Sequence, residues 1–126
     1  MSIETTSSLP QKFLINCEHG SNDPEKATIS LILAVTASKN NEAVIFATSS
    51  ASELCIKGGA DNVSADGYEP ASVLLDAFIT NGGKIWLCPA CAKAKNITAD
   101  DLIEGVEIAG APRSMEYLAS GGKVLA

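Results

Sequence analysis

The apolar positions of the chain come in short bursts whose spacing changes along its length. Residues 12–17, Lys-Phe-Leu-Ile-Asn-Cys, put apolar side chains on both faces of an extended segment. A strand of a parallel sheet covered on two sides reads this way. Asp23 then offers an N-cap, Pro24 suits the first helical position, and Glu25 suits the positive end of the dipole. Together they predict a helix from 24 to about 38. Ile29, Leu31, Ile32, Leu33 and Val35 lie nearly all round its circumference, since successive helical residues turn by about 100°. One sheet cannot cover them all. A second copy of the chain is expected to cover the rest, because soluble monomers avoid large apolar patches.

Asn40-Asn41 makes a turn, and 43–47 is the second strand. Ser50 and Glu53 have the spacing of a capping box, opening a short helix that ends at Gly58-Gly59 with Cys55 on its core side. Residues 60–67 are a polar loop. Pro70 starts the next helix, with Val73, Leu74, Ala77 and Phe78 as one apolar stripe and Asn81-Gly82-Gly83 as its stop. Ile85-Trp86-Leu87 is a β-favouring run too short for a helix. Pro89 cannot donate to a sheet, so the strand ends at Cys88; proline is favoured in a first helical turn, so a short helix follows and Asn96 stops it. Thr98 and Asp101 form a second capping arrangement. Residues 105–108 are a short strand, Pro112 begins a helix carrying Met115, Tyr117 and Leu118, and 123–125 is a closing strand.

Five strands alternating with helices predict an α/β fold, a parallel sheet with helices on both faces. Ligands in such folds bind at the carboxyl ends of the strands. That rim carries Cys17, His19, Ser49, Ser50 and Cys88. The pattern does not encode strand order. Residues 1–10, rich in Ser and Thr and without periodicity, are expected to be a mobile tail, and 11–126 a single domain.

A chain of 126 residues with 46% hydrophobic and 19% charged positions holds one core without staples. The net charge of −6 argues against nucleic acid or an anionic membrane as partner. No apolar run approaches the roughly 18 residues of a membrane span. The start lacks the basic and apolar regions of a secretory signal, so the expectation is a soluble cytoplasmic protein. In that compartment the four cysteines, 17, 55, 88 and 91, are not read as a disulfide framework.

Cys88 carries the clearest chemistry. It stands where a strand stops and a helix starts, and there unpaired N–H groups and the helix dipole favour a thiolate. Cys91 completes a Cys-x-x-Cys motif and is either a resolving thiol or a core side chain. A thioredoxin-type placement does not fit, since the motif follows the third strand. Cys17 and His19 with Cys88 and Cys91 form a possible Cys₃His zinc set, but a one-residue spacing is tight for a knuckle. His19 is otherwise a loop histidine or tunes the cysteine. Lys93 and Lys95 either complement the helix dipole or attract an anionic sulfur species. No phosphate-binding glycine loop is present.

Around Cys88-Pro-Ala-Cys91-Ala-Lys-Ala-Lys95-Asn-Ile97 the chain resembles the DsrE/DsrF-like family, which includes sulfur-relay proteins of the TusD and DsrE type. Asp23-Pro24-Glu25-Lys26-Ala27, Gly105-Val106, Gly110-Ala111 and Lys123-Val124-Leu125 are similar as well. Asn96 stands where the family commonly has glycine; asparagine also tolerates the left-handed conformation. The resemblance implies a three-layer α/β/α sandwich, a homotrimer or homohexamer, and a persulfide on Cys88. It implies sulfur donor and acceptor proteins as partners, and no metal or organic cofactor. The motif leaves two alternatives: a dithiol redox or thiol-sensing protein using Cys88 and Cys91, and a non-catalytic binding module.

Overall fold

The computed structural model describes residues 10–125; the tail expected over 1–10 lies, apart from Pro10, outside the described residues. Strand β1 (Lys12–Cys17) leads through helix α1 (Pro24–Ser38) to β2 (Glu42–Ala47). Two 3-10 turns, Ser49–Cys55 and Gly59–Asn62, precede α2 (Ala71–Thr80). β3 (Lys84–Leu87), α3 (Pro89–Ala94), a 3-10 turn at Ala99–Asp101, β4 (Val106–Ile108), α4 (Ala111–Ala119) and β5 (Lys123–Leu125) follow. The strands form one sheet in the order β4-β3-β2-β1-β5, and every pairing is parallel. In register, Cys17 pairs with Ala47 and Ala47 with Leu87, so the carboxyl ends of β1, β2 and β3 finish on one line.

The two faces of the sheet are both apolar, as a covered parallel sheet requires. Ile15, Cys17, Ile45, Ala47, Ile85 and Leu87 face the layer that contains α1 and α2, where Leu31, Leu74, Leu75 and Phe78 are buried. Leu14, Val44 and Trp86 face the other way and pack under α4 with Tyr117. Trp86 and Tyr117 meet edge to face at 5.5 Å between centroids. The architecture is the expected three-layer sandwich. The crossover from β4 to β5 runs back across the sheet through α4, from one edge to the other.

The α1 boundaries follow the local signals. Asp23 accepts from the Lys26 N–H at 3.1 Å, and Pro24 occupies the first turn. Ala27, Leu31 and Ala34 face inward, whereas Ile29, Ile32 and Leu33 remain 42%, 38% and 37% exposed. The Thr98–Asp101 capping box forms as expected. The Ser50–Glu53 box does not: that segment winds as a 3-10 turn with Thr48 at its start and no side-chain cap, because Glu53 is drawn to the β1–α1 loop, where its Oε1 accepts from Ser21 N–H at 2.7 Å. Two apolar stripes are also rotated from expectation. Val73 is 46% exposed while Leu75 is buried, and Met115 is 64% exposed. For α4 the reason is that its inward face is set by Tyr117 against Trp86.

Candidate functional site

Cys88 is the N-cap of α3, held by its own N–H bonded to Ala47 O at 3.0 Å at the end of β2. Its backbone is extended, and Pro89 begins the helix immediately after it. The thiol is half-buried on the rim of the sheet. Burial is the largest single influence on it and raises its pKa. Against that, the Cys91 backbone and thiol and the Ala90 backbone, polar groups of the first turn of α3, lower it, and the net effect leaves its pKa below the ordinary value of 9.0. Donors aimed at a sulfur favour its charged form.

Cys91 is also half-buried and has a hydrogen-bond partner from another loop. Its Sγ accepts the backbone N–H of Ser49 at 3.2 Å. Ser49 sits in the left-handed region at φ +51°, separated from the end of β2 by Thr48. The Ser52 hydroxyl locks that turn by donating to Ser49 O at 2.8 Å. Ser49 therefore anchors Cys91, which stands in the first turn of the helix that Cys88 caps. At the far end of α3, Asn96 adopts φ +55° and stops the helix, the role the sequence gives it.

Comparison with known proteins fixes the relationship. The chain matches the DsrE/DsrF-like family over residues 11–126. It belongs to that family. The DsrE-like chain is 32% identical over 111 residues to the uncharacterized protein MJ0760 of Methanocaldococcus jannaschii, covering 87% of this chain and 40% of that relative's length. Among solved structures it is similar to the ychN protein from E. coli, with a TM-score of 0.75 at 24% identity, over 91% of this chain and 97% of the other. A protein of unknown function from Methanobacterium thermoautotrophicum, MTH1491, gives a TM-score of 0.66 at 14% identity, over the same shares of 91% and 97%. These two likenesses establish the fold.

The other cysteines of this DsrE-like chain belong to the core. Cys17 and Cys55 are both fully buried, and Cys17 lies close enough to disfavour the Cys55 thiolate. Burial pushes Cys55 up to about 12; it also raises Cys17, partly offset by the His19 backbone and the Ser30 hydroxyl. His19 stands away from the thiol pair, its Nδ1 3.3 Å from Asn22 Nδ2, in a cleft of about 260 Å³ with Asn16, Glu18, Lys26, Ile29 and Ser30. Among the described residues no group of three or more His, Cys, Asp or Glu side chains is placed to hold a metal ion. Lys93 is exposed in the last turn of α3.

Lys95, the C-cap of α3, lines a cleft of about 300 Å³ with Ser21, Asn22, Ser50, Glu53, Ile56 and Ile97. Three loops at the carboxyl ends of the strands build it. Gly20 lets two of them close: a Cβ there would strike Ser50 O and the Glu53 side chain. Among the described residues, no helix is long and apolar enough to cross a membrane.

Proposed function

We propose that this DsrE-like protein carries sulfane sulfur as a persulfide on Cys88. The observation behind the reading is the place of Cys88, a half-buried thiol at the N-cap of α3 on the rim of the sheet, beside the Cys91 and Ala90 groups that lower its pKa. Cys88 thiolate attacks the outer sulfur of a donor persulfide, R–S–SH. The donor S–S bond breaks, R–S⁻ leaves, and Cys88–S–SH forms. The thiolate of an acceptor then takes that outer sulfur and returns Cys88 as a thiolate. Atoms and electrons balance without an added oxidant, metal or organic cofactor. The N–H groups that stabilise the thiolate also stabilise the persulfide anion.

Donor and acceptor proteins of the sulfur-relay type are the partners this reading assigns, in the cytoplasm. A homotrimer or homohexamer that buries the outer side of α1 fits the exposed Ile29, Ile32 and Leu33. Intact mass spectrometry after incubation with a sulfane-sulfur donor is the test. One added sulfur on the wild-type chain, absent from Cys88→Ser, is the expected result. Sulfur retained in Cys88→Ser, or none on the wild type, overturns it.

The placement of two free, half-buried thiols three positions apart at the start of α3 favours a second reading, a dithiol that closes to a disulfide and passes two electrons and two protons to a thiol-disulfide partner. Titration against reduced and oxidised glutathione separates the two. A pair that never closes removes the dithiol reading, and a persulfide that survives in Cys91→Ser supports sulfur carriage.

A further inference from the structure

The cleft around Lys95 has a chemistry of its own. One wall gives a cation, Lys95, whose side chain makes no hydrogen bond or ion pair among the described residues. The facing 3-10 turn gives an anion, Glu53, of which only Oε1 is engaged, by Ser21 N–H. Ser21, Asn22 and Ser50 add small polar groups, and Ile56 and Ile97 an apolar floor. A volume of about 300 Å³ is at the lower limit of small-ligand sites, too small for a nucleotide or a coenzyme. The protein's net charge of −6 does not recruit polyanions, whereas a ligand with one positive and one negative group meets no net repulsion.

The cleft also adjoins the thiols. Ser50 lines it, and Ser49, the preceding residue, donates to Cys91 Sγ. Lys95 follows Cys91 by four positions at the end of the same helix, which puts the two on one side of it.

We infer that this cleft binds a small zwitterionic aminothiol, its carboxylate on Lys95 and its ammonium on Glu53, with the sulfur end directed along α3 toward the cysteine pair. The inference rests on the persulfide reading above and adds a diffusible sulfur donor to the protein partners. In persulfide form the aminothiol is the R–S–SH of that step: its S–S bond breaks, its outer sulfur joins Cys88, and it leaves as R–S⁻. The short apolar stem between its charged and sulfur ends lies on Ile56 and Ile97.

The test uses S-methylcysteine, a thioether that cannot transfer sulfur, so its outcome is separate from whether Cys88 carries a persulfide. Amide NMR shifts of the full chain are followed during titration. Saturable shifts at Ser50, Lys95 and Ile97 are expected. The methyl ester, lacking the carboxylate, and the N-acetyl form, lacking the ammonium, should each bind at least about tenfold more weakly, as for loss of one charge-assisted hydrogen bond. Lys95→Ala should weaken the zwitterion by the same factor and discriminate no further against the ester. Glu53→Gln keeps an oxygen for Ser21 N–H and should discriminate no further against the N-acetyl form. Absence of saturable shifts, shifts centred on the His19 cleft, or equal affinity of the wild-type chain for zwitterion, ester and N-acetyl form overturns the proposal. The ligand series on the wild-type chain decides it even if a variant does not fold.

Discussion

The backbone N–H of Ser49 meets Cys91 Sγ at 3.2 Å, and Ser49 reaches that position only by adopting φ +51°. A serine in the left-handed region is uncommon, and such residues concentrate where a site needs a particular backbone group. Here the group is a donor for the second sulfur of the pair.

Replacing Ser49 by valine should therefore cost about 1–2 kcal/mol of stability, since a β-branched residue is poorly accommodated at positive φ. Ser49→Gly should cost less, because glycine adopts this conformation freely and keeps the N–H. Denaturant unfolding of both variants checks the order. Equal stabilities would show that the turn relaxes around the side chain.

Cys88 should be alkylated with a pH midpoint below 9.0, as its lowered pKa requires. The thiolate is the nucleophile, so the low pKa appears as reactivity at lower pH. Cys91→Ala removes the thiol donor and moves the midpoint upward, slowing labelling at neutral pH about fivefold for one lost hydrogen bond near 1 kcal/mol. Cys91→Ser keeps a donor and should lie between. Iodoacetamide kinetics followed by peptide mapping measure this, and a midpoint that ignores position 91 would remove the thiol from the account.

Alkaline conditions should destabilise the fold through Cys55. Its folded pKa is about 12 against an ordinary 9.0, with burial as the main cause. The raised value means that the stabilising effect is complete below pH 9.0 and is lost as pH rises toward 12. In that window the unfolded chain sheds a proton that the folded chain keeps. The slope approaches about 1.4 kcal/mol per pH unit. Cys17, also raised, adds in the same direction; Cys88, lowered, acts in the opposite sense but only below pH 9.0, outside that window. Melting temperatures between pH 8 and 11 should fall more steeply for the wild type than for Cys55→Ala.

Ile32→Glu places a charge on the outer side of α1, where Ile29, Ile32 and Leu33 are exposed in the single chain. A wild-type chain sedimenting at micromolar concentration as a trimer or hexamer should give a smaller species with this change. The variant should keep its fold, because Leu31 and Ala34 form the inward face. A monomeric wild-type chain would contradict assembly through this helix.

Much of the fold is legible because its signals are local. Asp23, Pro24 and Asn96 act through their own φ angles and nearest turns, and Pro89 alone fixes where β3 ends and hence where Cys88 stands. The Ser50–Glu53 box failed because a carboxylate follows the better donor: Ser21 N–H lies 32 positions earlier, and no local pattern announces it. The cleft has the same character. Its lining comes from three loops distant in sequence, and only folding joins Asn22, Glu53 and Lys95. Ser49 and Ser50 are legible as rim residues, but positive φ at a serine has no sequence signal. The rotation of α4 that exposes Met115 depends on Tyr117 finding Trp86, a pairing settled across the sheet.

The order of the strands bears on how the chain is made. β1 to β4 lie side by side in the order of synthesis, so each can dock on its predecessor as the ribosome releases it. The elements that finish the other side come after all they cover. Until α4 and β5 emerge, Leu14, Val44 and Trp86 have no helix over them, and β1 presents a bare edge beside its partner β2. A chain that ends before Ala111 is therefore a half-built sheet with one apolar side uncovered. Helix α4 is what closes that side.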